Sequence, residues 1–206
     1  MAAMTQGTWA LVLPLKRLEW AKTRLGADPV HRAQLALAMA SDTVEAALAV
    51  GAVAEVLVAT DDPAVEARVR ELGAQVVAGL GGLNEALAHG AEAASGRWPR
   101  LRVAALAGDL PALRPAELAE ALAQASGLGR SCVGDSASYG TTLLAAARGA
   151  QLAPAFGDAS FARHVAGGAT PLAGHWPGLR RDVDTADDLA EAVRLGVGRR
   201  TEEALA

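Results

Sequence analysis

Residues 103–113 read Val-Ala-Ala-Leu-Ala-Gly-Asp-Leu-Pro-Ala-Leu, an apolar run that leads to a single carboxylate. Its uninterrupted first part, 103–106, is typical of a strand covered on both faces, as the strands of a parallel sheet are. Asp109 follows that strand. Because ligands of open α/β sheets bind beyond the carboxyl ends of the strands, Asp109 is the first candidate functional residue.

Outward from this stretch, strand-like runs alternate with helical patterns. The predicted strands cover 9–15, 55–60, 75–78 and 103–106. The predicted helices cover 29–50, 63–72, 85–95 and 115–125. Such alternation implies right-handed crossovers and a mostly parallel sheet with helices on both faces. We therefore predict a single-domain α/β fold.

The pattern changes after Ser126, where Gly-rich loops become frequent. We expect shorter strands at 131–133, at 141–145 and in a segment that ends at Asp184, followed by a helix over 186–195. The tail from Gly196 is expected to be loosely held. The whole chain, 1–206, is thus predicted to be one domain with its core at about 9–195.

Composition restricts the class of protein. Of the 206 residues, 51% are hydrophobic but only 3% are aromatic, so the core must consist of Ala, Val and Leu. The net charge of -4 argues against general nucleic-acid binding. No apolar run reaches the roughly 18 residues of a membrane span. Since the N-terminus also lacks a secretory signal pattern, we expect a cytoplasmic protein.

Several familiar site patterns are missing from the sequence. The single cysteine, Cys132, excludes an internal disulfide and a cysteine-rich zinc site, and its place in a predicted strand favours a buried structural thiol. Neither a Walker A loop nor a Gly-x-Gly-x-x-Gly motif follows the first strand. There is no Ser/His/Asp hydrolase pattern, and His164 is expected to be structural or phosphate-adjacent rather than a catalytic base.

Two more carboxylates accompany Asp109. Asp182 and Asp184 are two residues apart, so in an extended segment both point to one side. Together the three carboxylates predict an oxygen-rich site for a hard cation such as Mg²⁺, which would hold phosphates. Alternatively, Asp109 begins a turn before Pro111, and Asp184 or Thr185 only caps the last helix, whose positive end Asp187 and Asp188 favour; capping and metal binding can coexist.

A basic loop follows the first strand and contains Lys16, Lys22 and Arg24. At the carboxyl end of a strand, such cations can neutralise a triphosphate and stabilise the charge of departing pyrophosphate. An ordinary solvated basic loop is the alternative interpretation.

Two other segments could contact a ligand. In the glycine-rich loop 79–84, Asn84 offers a donor and an acceptor to a base or ribose, although it could simply cap a helix. Further along, 139–144 and 156–164 combine hydroxyl residues with glycines, which can cradle a second phosphate at a helix N-terminus. Strand threonines and a plain helix cap are the alternative there.

Seven short motifs follow one another along the chain: Leu13-Pro-Leu-Lys16, Ala21-Lys-Thr-Arg-Leu-Gly26, Gly82-Leu-Asn84, Gly108-Asp-Leu-Pro111, Gly140-Thr-Thr-Leu-Leu144, Phe156-Gly-x-x-Ser160-Phe-x-x-His164 and Asp182-Val-Asp-Thr185. Their order and spacing over about 9–195 resemble those of the guanylyltransferases of coenzyme F420 biosynthesis, which act on 2-phospho-L-lactate or phosphoenolpyruvate. The resemblance implies the single-domain, GT-A-like fold of the nucleotide-diphospho-sugar transferases.

The resemblance also implies a reaction. GTP and a three-carbon phosphorylated acid bind together, a phosphate oxygen of the acid attacks the α-phosphorus of GTP, and pyrophosphate leaves. The product is a guanosine diphosphate-linked enolpyruvyl or lactyl compound. A general base is not required, because the attacking phosphate is already ionised at neutral pH.

Site residues follow from the same resemblance. Mg²⁺ is expected on Asp109, Asp182 and Asp184. The phosphate and carboxylate of the acid are expected near Thr142, Gly157 and Ser160. The triphosphate is expected near Lys16, Lys22 and Arg24, which form the catalytic set with Asp109. The nucleoside is expected near Asn84.

Some alternatives stay open at the level of sequence. A related nucleotidyltransferase could act on a sugar phosphate or molybdopterin, although Pro14-Leu15-Lys16 stands where those relatives have a Gly-Gly-rich loop. A non-catalytic nucleotide-binding protein is a further alternative. An actinobacterial-looking composition favours phosphoenolpyruvate over 2-phospho-L-lactate by association only. An unstable product would make direct hand-off to the next F420 biosynthesis enzyme useful.

Overall fold

The computed structural model describes residues 7–20, 22, 25 and 28–206 of the chain. The strands in this part are β1 (Trp9–Pro14), β2 (Val53–Thr60), β3 (Gln75–Ala78), β4 (Arg102–Leu106), β5 (Arg130–Gly134), β6 (Thr141–Ala146) and β7 (Thr170–Pro171). The helices are α1 (Pro29–Leu48), α2 (Pro63–Glu71), α3 (Leu83–Arg97), α4 (Pro115–Ala125), α5 (Ser160–Ala166), α6 (Ala186–Leu195) and α7 (Arg199–Leu205), with a short 3-10 helix at Leu18–Trp20. Arg24, a predicted catalytic residue, lies outside the described residues.

All seven strands belong to one sheet, in the order β3-β2-β1-β4-β6-β5-β7. Strands β1 to β4 pair in parallel, whereas β6 is antiparallel to both β4 and β5. The prediction of a mostly parallel sheet is therefore confirmed. Because Leu143 of β6 lies opposite Leu106 of β4, the start of β6 reaches the edge where β1 and β4 end.

Helices cover both faces of the sheet, as predicted. In β1, Trp9 and its alternate neighbours pack with α1, α2 and α4, while Ala10 and Val12 pack with α3 on the opposite face. Helix α3 approaches closely because Gly90 has no Cβ to meet the Val12 side chain. Cys132 is buried in the second core, as expected, and burial raises the pKa of its thiol to about 11.

The start of α6 is fixed by a reciprocal cap directly after Asp184. The Thr185 hydroxyl accepts the Asp188 backbone N–H at 3.2 Å, and the Asp188 carboxylate accepts the Thr185 N–H at 2.9 Å. These two residues satisfy orphan backbone donors at the helix N-terminus. The helix is thus capped by Thr185, and the Asp184 side chain is available for the cleft described below.

The segment that ends at Asp184 differs from the expected strand. Residues 180–184, all of them described, form no strand. Instead, the Val183 N–H donates one hydrogen bond to the Asp109 carbonyl at 3.2 Å, and the Val183 side chain is fully buried. A single backbone hydrogen bond does not make a β-strand pair. It still brings Asp109 next to the cluster of Asp182 and Asp184.

The expectation that the tail from Gly196 is loosely held is wrong. It forms α7, which packs against α1 and completely buries Thr201. The buried Asp42 carboxylate accepts the backbone N–H groups of Arg200 at 3.1 Å and of Thr201 at 2.8 Å. Asp42 therefore caps a helix that lies almost 160 residues further along the chain.

Within the described residues, none of the helices combines the length and the apolar character that crossing a bilayer requires.

Candidate active site

A cleft of about 710 Å³ opens at the sheet edge where β1 and β4 end and β6 begins. Seven of the predicted site residues line it: Lys16, Lys22, Asp109, Gly157, Ser160, Asp182 and Asp184. Segments more than 160 residues apart thus contribute to one cavity. Asn84 and Thr142, although described, are not among its lining residues.

Acidic side chains crowd one end of the cleft. Burial raises the pKa of Asp182 to about 7, and the negative charges of Asp109, Asp135 and Asp184 act in the same direction. Like charges held this close disfavour one another's ionised form. The cluster would therefore gain stability from a bound cation.

Asp135, between β5 and β6, is a cleft residue that the sequence did not predict. It lines the cleft, and its carboxylate accepts three backbone N–H groups, those of Ala137 at 3.0 Å, Tyr139 at 2.9 Å and Gly140 at 2.6 Å. These bonds shape the loop that leads into β6. The Tyr139 hydroxyl in turn donates to the Asp158 carboxylate, which joins this loop to the opposite rim. No spacing motif relates Asp135 to Asp109, so only the folded structure shows that Asp135 lies near the other carboxylates.

Lys22 bridges two of the predicted carboxylates. Its ammonium donates to Asp109 Oδ2, and to Asp184 Oδ1 at 2.9 Å. Burial acts to lower the pKa of Lys22, but the charges of these carboxylates and their hydrogen bonds prevail, and the pKa is raised. Lys22 is therefore a fixed cation in the acidic part of the cleft.

The donor set suits a hard divalent cation, since aspartate oxygens are what Mg²⁺ prefers. In this conformation, however, no group of three or more His, Cys, Asp or Glu side chains within the described residues is arranged to hold a metal ion. The Lys22 ammonium lies between Asp109 and Asp184 in this arrangement. Direct binding by both carboxylates requires Lys22 to move aside.

A tightly held loop before α5 also lines the cleft. The Asn84 amide accepts the Phe156 N–H at 2.7 Å and donates to the Phe156 carbonyl at 3.1 Å. Arg163 donates to the Ala155 carbonyl at 3.2 Å. The loop delivers Gly157, with φ of 110°, to the cleft wall, and this left-handed conformation favours glycine. Asn84 thus braces the loop, and its contact with a nucleoside stays a prediction.

The two threonines at the start of β6 have different surroundings. Thr142 Oγ1 is buried and has no hydrogen-bond partner within the described structure. Thr141 lines the cleft, and its hydroxyl contacts His164 Nδ1 at 2.9 Å and Ser160 Oγ at 3.3 Å. The register of β5 and β6 shifts beside them, between Val133 and Gly134, so simple alternation could not decide which threonine faces the ligand. The role of Thr142 in binding the acid stays a prediction.

His164 is almost completely buried in α5. Burial, assisted by the positive charges of Arg130 and Arg163, lowers the pKa of His164 to about 4. The ring is therefore neutral at physiological pH, and both of its nitrogens are engaged by protein groups. This agrees with the expectation that His164 is not a catalytic base.

Solved structures of other proteins belong to the same fold class as this chain. A structure described as a nucleotide-diphospho-sugar transferase from Desulfovibrio desulfuricans G20 aligns with a TM-score of 0.73 at 17% identity, covering 97% of this chain and 94% of that one. A Mycobacterium tuberculosis H37Rv protein in complex with manganese aligns with a TM-score of 0.54 at 20% identity, covering 92% of this chain and all of that one. At these identities the likeness concerns the fold alone.

Sequence relatives specify the family within this class. The chain belongs to the family described as guanylyl transferase CofC like, whose model matches residues 9–206. It is 54% identical to the phosphoenolpyruvate guanylyltransferase of Salinispora arenicola, over 96% of this chain and 93% of that protein. It is also 54% identical to the phosphoenolpyruvate guanylyltransferase of Thermomonospora curvata, over 94% of this chain and 87% of that protein.

Proposed function

We propose that this protein is a phosphoenolpyruvate guanylyltransferase that joins GTP to phosphoenolpyruvate, releases pyrophosphate and serves coenzyme F420 biosynthesis. The observation that carries the proposal is the 54% identity, over nearly the full length, to proteins of that name. The cleft supports it, because it places lysines, carboxylates and a glycine–serine loop around one cavity. The entire chain, 1–206, acts as one nucleotidyltransferase domain in the cytoplasm.

The reaction needs charge compensation more than acid–base catalysis. A triphosphate and a phosphorylated acid repel each other by about 1 kcal/mol per charge pair at ~4 Å, even in water. Lys16 and Lys22 line the cleft and offset part of this repulsion, together with Arg24 from the same loop. They hold the triphosphate and stabilise the pyrophosphate as the bond to the α-phosphorus breaks.

Asp109, Asp182 and Asp184 would hold Mg²⁺ in the working enzyme. The crowding of their charges supports this assignment, since a cation relieves it. When bound, Mg²⁺ supplies charge neutralisation and alignment of phosphate oxygens. Lys22 would then exchange its carboxylate partners for phosphate oxygens.

The acid binds beside the loop before α5 in this proposal. Ser160 and the Gly157 backbone bind its phosphate or carboxylate, with Thr142 as a further predicted contact. The fixed loop conformation supports this, because donors held in place before binding lose less entropy. The nucleoside contact of Asn84 stays a prediction, since Asn84 braces the same loop through Phe156 and does not line the cleft. The product, which is prone to hydrolysis, passes to the next enzyme of the pathway.

Pyrophosphate release tests the proposal with a panel of substrates. The purified protein is incubated with Mg²⁺, GTP and either phosphoenolpyruvate or 2-phospho-L-lactate, with pyrophosphatase present to draw the reaction forward. Parallel reactions contain CTP or UTP with a sugar 1-phosphate. We expect release with GTP and phosphoenolpyruvate. Release only with the sugar phosphate would instead favour a sugar nucleotidyltransferase, and release only with 2-phospho-L-lactate would change the acid.

A further inference from the structure

Two helices of this chain begin in the same way, but their caps differ in one contact. Helices α1 and α2 each have an aspartate N-cap followed by a proline, Asp28-Pro29 and Asp62-Pro63. In both caps the carboxylate oxygen Oδ1 accepts two backbone N–H groups of the first turn. Capping requires only that oxygen, so the second oxygen of each carboxylate is available for another partner.

The second oxygen of Asp62 holds the basic loop that follows β1. Asp62 Oδ2 accepts the Leu18 backbone N–H at 2.9 Å, across 44 positions of the chain. Asp28 makes no such second hydrogen bond within the part of the chain that the structure describes. Burial acts to raise the pKa of Asp62, but its hydrogen bonds from the Leu18 and first-turn N–H groups prevail, and the pKa is lowered. The carboxylate is therefore ionised at neutral pH and is a strong acceptor for the loop.

The same loop is also held by the strands on either side of it. The Leu15 N–H donates to the Ala59 carbonyl of β2 at 2.9 Å. The Leu15 side chain lies over Gly108, where a Cβ would be 2.3 Å from Leu15 Cδ2, so the lack of a side chain there lets the loop approach the segment after β4. Lys16 stands between the anchored residues Leu15 and Leu18, and it is exposed and lines the cleft.

The position of Lys16 therefore depends on backbone contacts on both sides of it. A loop that is fixed before binding loses less entropy when an anion arrives. We propose that Asp62 is a positioning residue: by holding Leu18, it keeps the basic loop in the conformation that presents Lys16 to the triphosphate of the nucleotide. The inference rests on the proposed function, which brings GTP to this loop.

Electrostatics alone predicts the opposite effect for a loss of the Asp62 charge. Like charges repel, so an anion beside the loop opposes a triphosphate, and neutralising Asp62 would strengthen nucleotide binding. Positioning predicts that the same change weakens binding, because the loop loses its tether. The sign of the change in GTP affinity therefore separates the two effects.

Asp62→Asn removes the tether and keeps the helix cap. The amide oxygen still accepts the first-turn N–H groups, whereas the amide nitrogen is a donor and cannot accept the Leu18 N–H. We expect the affinity for GTP with Mg²⁺, measured by calorimetry, to fall about tenfold, the effect of one lost hydrogen bond to a charged group. Asp62→Ser, whose single hydroxyl caps α2 but supplies no second oxygen, should lose about as much.

Asp28→Asn is the matched control. It makes the same chemical change at the same kind of helix start, but the described contacts of Asp28 are confined to the cap of α1. We expect its GTP affinity to equal that of wild type, while thermal melts show similar changes in the two asparagine variants. A purely structural role of Asp62 would alter thermal stability and leave GTP affinity unchanged.

A double-mutant cycle identifies the side chain through which Asp62 acts. Lys16→Met removes the ammonium, and we expect it to weaken GTP binding. If Asp62 presents Lys16, then Asp62→Asn should cause much less than a tenfold loss when it is added to Lys16→Met. Hydrogen exchange supplies a reading without nucleotide. The Leu18 amide should exchange about tenfold faster in Asp62→Asn than in wild type, whereas the Val65 amide should keep its protection.

Four results would overturn the inference. GTP affinity that is equal or higher in Asp62→Asn refutes the positioning role but leaves the proposed function intact. Full additivity with Lys16→Met refutes the route through Lys16. Unchanged exchange of the Leu18 amide refutes the tether without any reference to nucleotide. Wild-type protein that binds no GTP refutes the inference together with the proposed function.

Discussion

The Lys22 ammonium lies 2.9 Å from Asp184 Oδ1, although the two residues are separated by 162 positions in the chain. The same ammonium also donates to Asp109, so one lysine neutralises two of the three carboxylates assigned to the metal. Lysine and metal therefore compete for the same oxygens. In the proposed reaction this competition ends when phosphates arrive as new partners for Lys22.

Replacing Lys22 with methionine separates its two effects. We predict that Lys22→Met lowers pyrophosphate release by about a hundredfold or more, because a preorganised cation near the phosphates is lost. We also predict that Mn²⁺, used as a spectroscopic stand-in, binds the nucleotide-free variant at least as tightly as wild type, since the competing ammonium is gone. Weaker Mn²⁺ binding in Lys22→Met would contradict the competition.

The Asp184 carboxylate, next to Lys22, has a convenient control three residues further along the chain. We predict that Asp184→Asn abolishes most pyrophosphate release and weakens Mn²⁺ binding, because a charged oxygen donor is lost. Asp187→Asn should retain both properties, since Asp187 is exposed in the first turn of α6 and does not line the described cleft. Thermal melts compare folding, and equal activity in the two variants would remove Asp184 from the metal site.

The C-terminal helix α7 should contribute directly to stability. We predict that Asp42→Ala lowers the free energy of unfolding by about 2 kcal/mol, because two backbone N–H groups at the start of α7 lose their acceptor. Urea denaturation measures the change. A loosely held tail, in contrast, would make this substitution almost neutral.

The buried ring of His164 gives a pH dependence with a definite sign. Its pKa is about 4 in the folded protein, against an ordinary value near 6.5 in the unfolded chain. Between these values the unfolded chain binds a proton that the native protein does not, so stability falls as pH decreases from about 6.5 to 4. We predict that this part of the loss, about 3 kcal/mol, disappears in His164→Asn. If the free energy of unfolding of wild type and of His164→Asn changed equally with pH over that window, the prediction would be refuted.

Local sequence patterns were sufficient for the parallel half of the fold. Uninterrupted apolar runs predict the buried strands β1 and β4, and helical periodicity predicts α1 to α4, because these signals lie within each element. The two acidic clusters meet at the sheet edge as expected, although 180–184 form no strand and are held there by the Val183–Asp109 backbone bond.

What the sequence could not predict depends on contacts between distant residues. Helix α7 is short and is held by the Asp42 carboxylate of α1, which no local pattern shows. Asn84 was expected at the nucleoside, yet its amide is bonded to Phe156, 72 residues away. Thr141 and Thr142 have different surroundings because of a register shift in the β5–β6 pair. In each case the sequence shows the chemistry of the side chain, but it does not show which distant residue the side chain contacts.

The central claim is that the guanylyl group of GTP is transferred to the acid rather than to water. The most direct measurement follows GTP labelled at the α-phosphorus, incubated with the protein, Mg²⁺ and phosphoenolpyruvate, with the products separated and weighed by mass spectrometry. We predict that the label appears in a guanosine diphosphate-linked enolpyruvyl compound, and only when the acid is present. Label that remains in GTP, or appears solely in GMP, would contradict the transfer.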